Sequence, residues 1–207
     1  MRVIRPYVEL LEEMDGAAVL QRLERIGRVC YKSEGRIAPG TAEKFIANIL
    51  KRGHESVIEH EKATLRMVCD RGVTHELVRH RLASYSQEST RYCNYSQDKF
   101  GSELTFIRPL FWEEDSEAYG IWREAMQRIE ADYMRLLEGG ASPQEARSIL
   151  PNSLKTEIVV TMDLREWRHF FRLRTAPQAH PQMREVALMA LELLHSKLPV
   201  VFDDIHP

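Results

Sequence analysis

Hydrophobic residues recur every three or four positions in several stretches of the chain, which is the spacing of a helix with one buried face. In the longest stretch, Trp122, Met126 and Tyr133 fall on one stripe, and Gly139 and Gly140 mark its end. The same pattern predicts helices over 16–31, 41–52, 75–82, 116–138, 143–150, 164–174 and from 181 onward. Their N-termini are marked by Thr41, Thr74 and Asp163 as N-caps and by a capping box at 142–145.

Three stretches rich in β-forming residues lie between these helices. Residues 2–10, 62–69 and 156–162 predict strands, and Pro6 places the first of them near a sheet edge. Residues 84–95 are polar and are predicted to form turns. Because strands and helices do not alternate regularly, we predict an α+β fold with a mostly antiparallel sheet flanked by long helices, in a single domain over residues 1–207.

Composition narrows the class of protein. The 207 residues are 43% hydrophobic and 29% charged, as in an ordinary globular protein, and the formal net charge is −2. A protein that grips a nucleic-acid backbone is usually basic, so we expect no nucleic-acid partner. The three cysteines have no metal-binding spacing, and neither a signal sequence nor a long apolar segment is evident, so we expect a cytoplasmic protein without a membrane segment.

The densest cluster of reactive side chains begins at Arg79-His80-Arg81 and continues through the serines to Arg91. If 75–82 is a helix, Arg79 and His80 point about 100° apart and serve different partners. The alternative is a solvated helix end, where basic side chains complement the helix dipole.

The sequence lacks the motifs of other catalytic classes. His54 and His60 are six positions apart, which places them on different sides of a helix, so we predict no metal site. The chain has neither a GxSxG nucleophile elbow nor a GxGxxG or Walker A loop. Phosphate recognition is therefore expected from arginine side chains, which bind anions in bidentate fashion. Outside the first cluster, the candidates are Arg147, Arg165, Arg168, Arg172 and Arg174, and the spacing of 165, 168 and 172 predicts one shared helix face.

The segment RHRLASYSQESTRY resembles the RHR-x7-S signature of the flavin-dependent thymidylate synthases. GHESVIEH at 53–60, THELVRHR at 74–81, ARSILP at 146–151 and the segment from Asp163 to Arg174 resemble other blocks of that family, in the same order. The resemblance extends from about residue 30 onward. It implies a homotetramer with sites shared between subunits, which uses FAD, methylene-tetrahydrofolate and NADPH to convert dUMP to dTMP without a cysteine nucleophile.

The resemblance also implies roles for individual residues. Arg174 and Ser89 match catalytic positions, Arg174 by stabilising negative charge on the pyrimidine and Ser89 by positioning and polarising it. The positions that hold dUMP are Glu76, Arg79, Gln87, Ser89, Arg91, Arg147 and Arg174. The positions around FAD are His54, Ser56, Arg79, His80, Arg81, Ser86, Asp163, Arg165 and His169. Ser86 and Gln87 replace Asn and Glu of some members, and Asp163 and His169 replace Asn-like residues.

Two further hypotheses come from the residues. Tyr85, Tyr92 and Tyr95 beside the arginine cluster suit stacking on bases, so an RNA-binding module is the alternative to the enzyme. The tryptophans at 112, 122 and 167 serve either subunit interfaces or the interior of the chain.

Overall fold

A computed structural model describes residues 1–97 and 101–207. Its strands are β1 (Arg2–Ile4), β2 (Tyr7–Leu10), β3 (Lys62–Asp70), β4 (Ser84–Gln87), β5 (Thr105–Ile107) and β6 (Lys155–Asp163). Its helices are α1 (Gly16–Val29), α2 (Thr41–Lys51), α3 (Arg71–Leu77), α4 (Glu117–Glu138), α5 (Pro143–Ala146), α6 (Leu164–Arg174), α7 (Pro181–Lys197) and α8 (Pro199–Phe202). Short 3₁₀ turns occupy Glu34–Arg36, Glu55–His60 and Arg147–Ile149.

The strands form two sheets. β1 and β5 pair in parallel, with Val3 opposite Phe106, and the four-stranded sheet has the order β2-β3-β6-β4. The α+β class and the antiparallel sheet predicted from the sequence are confirmed.

The chain divides into two compact units. Unit 1 comprises Met1–Tyr7, Met67–Arg79 and Ser86–Ile158, and unit 2 comprises Val8–Arg66, His80–Tyr85 and Val159–Pro207. A single domain over residues 1–207 stays a prediction, and each unit is described by itself.

The core of unit 1 forms around α4. Trp122, Met126 and Tyr133 lie on its buried face with Phe106 and Leu154, as the helical stripe predicts. The indole Nε1 of Trp122 donates to Ser153 Oγ at 3.1 Å, so this tryptophan is an internal residue.

The core of unit 2 is an aromatic cluster on α6. Trp167, Phe170 and Phe171 are fully buried, and Phe171 contacts the ring of Phe202 edge to face at 5.6 Å between centroids. Trp167 Nε1 donates to Ala63 O at 3.0 Å, which ties α6 to β3. Trp167 is therefore also internal, whereas Trp112 keeps 37% of its surface exposed.

The helix N-termini follow the local capping chemistry, with two differences from the sequence predictions. Asp163 caps α6 as predicted, but α2 follows Gly40 in the left-handed conformation, with Thr41 as its first residue. α3 begins at Arg71 because Asp70 accepts the amide of Val73 at 2.8 Å, so Thr74 lies inside it. Residues 84–87 form an edge strand, β4, whose polar side chains gave no apolar signal for it.

The first predicted strand is also interrupted. β1 and β2 are separated at Arg5 and Pro6, because proline lacks the amide hydrogen that a sheet ladder needs. The capping box formed by Ser142 and Glu145 is present, although α5 gives way to a 3₁₀ turn after Ala146. Within 1–97 and 101–207, the longest apolar helical windows fall short of what a membrane crossing requires.

Candidate active site

The RHR segment does not lie on a helix. α3 ends at Leu77, so Arg79, His80 and Arg81 follow the helix and the 100° argument made from the sequence is wrong. Arg79 and Arg81 are exposed, while His80 keeps only 5% of its surface exposed. A solvated helix end accounts for the two arginines but not for a buried histidine, whose ring nitrogens both need partners.

Both ring nitrogens of His80 are engaged within unit 2. Arg174 Nε lies 3.0 Å from His80 Nε2, and His80 Nδ1 lies 3.3 Å from Glu166 Oε1. The guanidinium Nε always carries a hydrogen, so His80 Nε2 accepts and the ring proton lies on Nδ1, facing Glu166. His80 is therefore neutral.

The electrostatic surroundings favour this neutral form. Burial lowers the pKa of His80 to about 4, and the electrostatic influence of Arg174 and of His169 acts in the same direction. The imidazole also contacts Phe170 edge to face at 5.0 Å between ring centroids. The lowered pKa and the contact with Arg174 Nε both favour a His80 ring that accepts from Arg174.

Glu166 is the partner that sequence reasoning missed. It is 8% exposed, and burial raises the pKa of its carboxyl group. It lies three residues after the N-cap Asp163, where a Glu usually bonds back to the cap. Its side chain instead lies beside a histidine 86 positions earlier in the chain.

Ligand atoms of His80, Glu166 and His169 lie within 4.8 Å of one another. Such a set can hold a cation in principle. Here, however, Arg174 donates to His80 and brings a positive charge to the cluster, which opposes a second cation at the same place.

The two predicted catalytic residues lie in different segments. Arg174 is the last residue of α6 and is half-buried. Ser89 follows β4, and its Oγ accepts the backbone N–H of Arg91 at 3.3 Å. The Ser89 hydroxyl oxygen is thus used as an acceptor in a local turn, and its positioning role toward the pyrimidine stays a prediction.

The other candidate dUMP residues lie in unit 1. Gln87 Nε2 donates to Thr74 Oγ1 at 3.1 Å and Thr156 Oγ1 at 3.3 Å, so it joins α3, β4 and β6. The remaining positions are Glu76, which is half-buried on α3, and Arg79, Arg91 and Arg147, which are exposed. Convergence of the three arginines on one anion stays a prediction.

Unit 1 also contains a carboxylate that the sequence did not indicate. Glu88 accepts Tyr95 Oη at 2.7 Å and Lys155 Nζ at 3.0 Å. Tyr95 is buried, and in unit 2 the hydroxyl of Tyr85 donates to His80 O at 2.6 Å. Of the three tyrosines proposed to stack on RNA bases, only Tyr92 is largely exposed, at 77%. This placement argues against the RNA-binding hypothesis.

Most candidate FAD residues lie in unit 2. His54 is exposed, and its Nδ1 lies 2.8 Å from Tyr31 Oη, while Asp163 accepts the amide of Glu166 at 2.8 Å. Asn and Asp cap helices equally well, so Asp in place of Asn at 163 keeps this local role. The remaining positions, Ser56, Arg81, Arg165 and His169, are exposed, and Ser86 is exposed in unit 1.

The arginine face predicted on α6 exists, but most of it is used internally. Arg168 is fully buried and bonds to Glu55 and to Asp204, and Arg172 bonds to Glu55 at 2.9 Å. Arg165 pairs with Glu59. The prediction that Arg168 is available to phosphate is therefore wrong, because its charge is neutralised inside the fold.

The profile of the family described as "Thymidylate synthase complementing protein" matches residues 9–200. A flavin-dependent thymidylate synthase of Pyrococcus furiosus is 40% identical over 182 residues, which cover 87% of this chain and 72% of the relative. One from Corynebacterium aurimucosum is 36% identical over 205 residues, covering 93% of this chain and 82% of the relative. The chain belongs to the flavin-dependent thymidylate synthase family.

Family membership confirms the resemblance read from the RHR block. Family membership makes the chain an enzyme of the methyltransferase class and so favours the enzyme over the RNA-binding module. The fold agrees with a solved structure of a UMP/dUMP methylase, PolB, from Streptomyces cacaoi. That structure has a TM-score of 0.78 and 23% identity, and the match covers 98% of this chain and 96% of the other.

Proposed function

We propose that this member of the flavin-dependent thymidylate synthase family converts dUMP to dTMP. Methylene-tetrahydrofolate supplies the carbon, NADPH supplies the reducing equivalents and FAD is the bound cofactor. The names of the relatives and the substrate named for the structural neighbour support dUMP as the nucleotide and a flavin as the cofactor.

One observation carries the proposal. Arg174, from the set assigned to dUMP, donates a hydrogen bond to His80, from the set assigned to FAD. This direct 3.0 Å bond joins a residue of each set within unit 2, as a site that holds nucleotide beside flavin requires.

Each candidate dUMP residue suits one part of the nucleotide. Arg91 and Arg147 provide guanidinium forks for the phosphate, whose charge is close to −2. Arg174 stabilises the negative charge that develops on the pyrimidine oxygens as C5 accepts the one-carbon unit and loses its hydrogen. Ser89 positions and polarises the ring, and Glu76, Arg79 and Gln87 complete the set.

The candidate FAD residues fit the chemistry of that cofactor. His54, Ser56, Arg81, Arg165 and His169 are exposed and offer hydrogen-bond donors or cationic groups to a pyrophosphate, and Asp163 and Ser86 offer polar contacts. His80 and Arg79 are the residues that we assign to the flavin ring. FAD supplies hydride transfer when bound.

We also propose that no cysteine attacks the nucleotide. Burial raises the pKa of the Cys69 thiol far above neutrality, and the charge of Asp70 adds to the effect, so this thiol is a poor nucleophile. Cys30 and Cys93 lie outside the segments that resemble the family's catalytic blocks.

The remaining predictions concern the whole protein. We propose a homotetramer in which subunits share each site, in the cytoplasm and without nucleic-acid partners. Large exposed apolar side chains, such as Leu82 at 73% and Tyr92 at 77%, are available for such contacts.

The decisive experiment combines a visible spectrum with a substrate assay. The purified protein is expected to be yellow, or to become so on reconstitution with FAD. It is expected to release the C5 hydrogen of dUMP as solvent-exchangeable tritium only when methylene-tetrahydrofolate and NADPH are both present. UMP serves as the parallel substrate. A colourless protein that FAD does not reconstitute, or tritium release without the folate, contradicts the proposal.

A further inference from the structure

Three side chains of unit 2 form a continuous hydrogen-bonded row. Glu166 Oε1, His80 Nδ1, His80 Nε2 and Arg174 Nε follow one another, with separations of 3.3 Å at the first bond and 3.0 Å at the second. Glu166 and Arg174 come from the two ends of α6, and His80 comes from the segment after α3. Glu166 and His80 are buried.

The order of donors and acceptors runs one way along this row. A carboxylate only accepts, so the Nδ1 proton of His80 is directed to Glu166, and Nε2 is left with the lone pair that Arg174 Nε needs. The opposite tautomer places an N–H against the Arg174 N–H and leaves Nδ1 and the carboxylate without a shared proton. Glu166 therefore selects the tautomer that can accept from Arg174.

We propose that Glu166 is a positioning residue for Arg174, acting through His80. The carboxylate orients the imidazole, and the imidazole holds the Nε edge of the guanidinium, which sets the direction of the Nη fork. This inference rests on the proposed function, because positioning Arg174 affects catalysis only if Arg174 acts on dUMP.

The groups around the row agree with this assignment. The charged or titratable side chains that influence it include Asp163, which is the N-cap of α6, His169 on α6 and Tyr85 on β4. Burial and the cation of Arg174 keep His80 neutral, so the row is not a salt bridge and its value lies in geometry. A misplacement of about 1 Å at a catalytic group can cost about 100-fold in rate, which is the scale on which such a device matters.

A double-mutant cycle tests whether Glu166 acts through Arg174. Glu166→Ala removes the acceptor, and we expect kcat to fall about tenfold while KM for dUMP changes less than about threefold. In an Arg174→Ala background, the same change is expected to cost less than about twofold, because the group that it positions is already absent. Glu166→Gln keeps an acceptor oxygen for the Nδ1 proton and is expected to retain activity within about threefold of the parent.

A matched control separates positioning from stability. Glu24 is another buried carboxylate of unit 2, 1% exposed, which pairs with Arg28 on α1. Glu24→Ala is expected to lower the melting temperature without reducing kcat. If Glu24→Ala lowers kcat as much as Glu166→Ala does, or if the Glu166 and Arg174 effects multiply in the cycle, the positioning role is overturned.

The tautomer provides a test that does not depend on catalysis. In protein labelled with ¹⁵N-histidine, the His80 ring, assigned by its loss in His80→Asn, is expected to be neutral with the proton on Nδ1. A proton on Nε2 in the parent protein overturns the inference even if Glu166→Ala does not fold. If this tautomer is observed but the parent protein turns over no dUMP, the proposed function fails while the hydrogen-bonded row stands.

Discussion

Arg174 and Arg91 are both arginines of the candidate dUMP set, but the structure gives them different surroundings. Arg174 is half-buried at the end of α6, where His80 holds its Nε. Arg91 is exposed, and its guanidinium lies over the ring of Tyr92 at 5.4 Å. A cation held in a fixed direction suits transition-state charge, whereas an exposed fork suits a phosphate that arrives from solvent.

This difference predicts a division between binding and turnover. Arg91→Ala is expected to raise KM for dUMP about tenfold with kcat changed less than about threefold, because a phosphate contact is lost equally in ground and transition states. Arg174→Ala is expected to lower kcat about 100-fold with a smaller change in KM.

Steady-state kinetics with dUMP as the varied substrate measures both quantities. Arg135→Ala is the control, since Arg135 is an exposed arginine on α4 that pairs with Asp132. If both site variants change only thermal stability, the residue assignments are wrong.

His80 predicts a dependence of stability on pH. Its pKa is lowered by burial from 6.5 to about 4 in the folded chain, so the unfolded chain binds the proton first as the pH falls. The free energy of unfolding is therefore expected to decrease between pH 6.5 and 4, by at most about 3 kcal/mol from this residue.

Urea unfolding of the parent and of His80→Asn at several pH values isolates the histidine. The stability advantage of the parent is expected to shrink steadily across this window and to be constant below pH 4. Equal pH profiles for the two proteins refute the assignment of a buried neutral imidazole.

Helix α6 combines two functions along its length. Its ends carry Glu166 and Arg174, while its central face carries Arg168, whose guanidinium bonds to Glu55, Asp204 and the carbonyl of Val201. Burial alone would raise the pKa of Glu55, but Arg172 and Arg168 together bring it below its ordinary value. The helix is thus anchored through its middle by Arg168.

This anchoring predicts that replacing Arg168 lowers the stability much more than replacing its neighbour Arg172. Arg168→Ala is expected to reduce the free energy of unfolding by about 3–5 kcal/mol, because it removes a fully buried side chain and leaves the half-buried Glu55 without one of its two cations. Arg172 is 44% exposed, so Arg172→Ala is expected to cost less than about 1 kcal/mol.

Chemical denaturation of the two variants measures this contrast. The m-values serve as the check that both proteins unfold in the same way. Similar losses for Arg168 and Arg172 refute the distinction between a buried anchor and an exposed pair.

The two candidate sets divide between the two compact units of the chain. All candidate dUMP residues except Arg174 belong to unit 1, and all candidate FAD residues except Arg79 and Ser86 belong to unit 2. The candidate residues for nucleotide and for cofactor are therefore drawn largely from different parts of the chain, and Arg174 and His80, one from each set, are bonded within unit 2.

Assembly is the prediction that concerns the protein as a whole. We expect four copies of the 24.1 kDa chain in solution, since apolar side chains such as Ile121 and Leu173 are more than half exposed. Sedimentation equilibrium or light scattering measures the mass directly. A monomer that turns over dUMP at full rate contradicts the proposal that subunits share each site.

Local chemistry was readable from the order of residues alone. The helical stripe through Trp122 and Tyr133, the caps at Asp163 and Ser142, and the strand over 156–162 were predicted correctly, because periodicity and capping depend on neighbours a few positions apart. The RHR block likewise identified the family, since its residues are contiguous.

Pairings between distant positions required the folded chain. Nothing near Glu166 in the sequence indicated that it lies beside His80, and nothing near Arg168 indicated that Glu55 and Asp204 neutralise it. Polar edge strand β4 was missed for a related reason, as its stability comes from hydrogen bonds to another strand and not from its own side chains. The burial and the pairing of charged groups arise only when separate segments pack together. The tertiary structure therefore decides which arginines and carboxylates are neutralised inside the fold and which can contact a ligand.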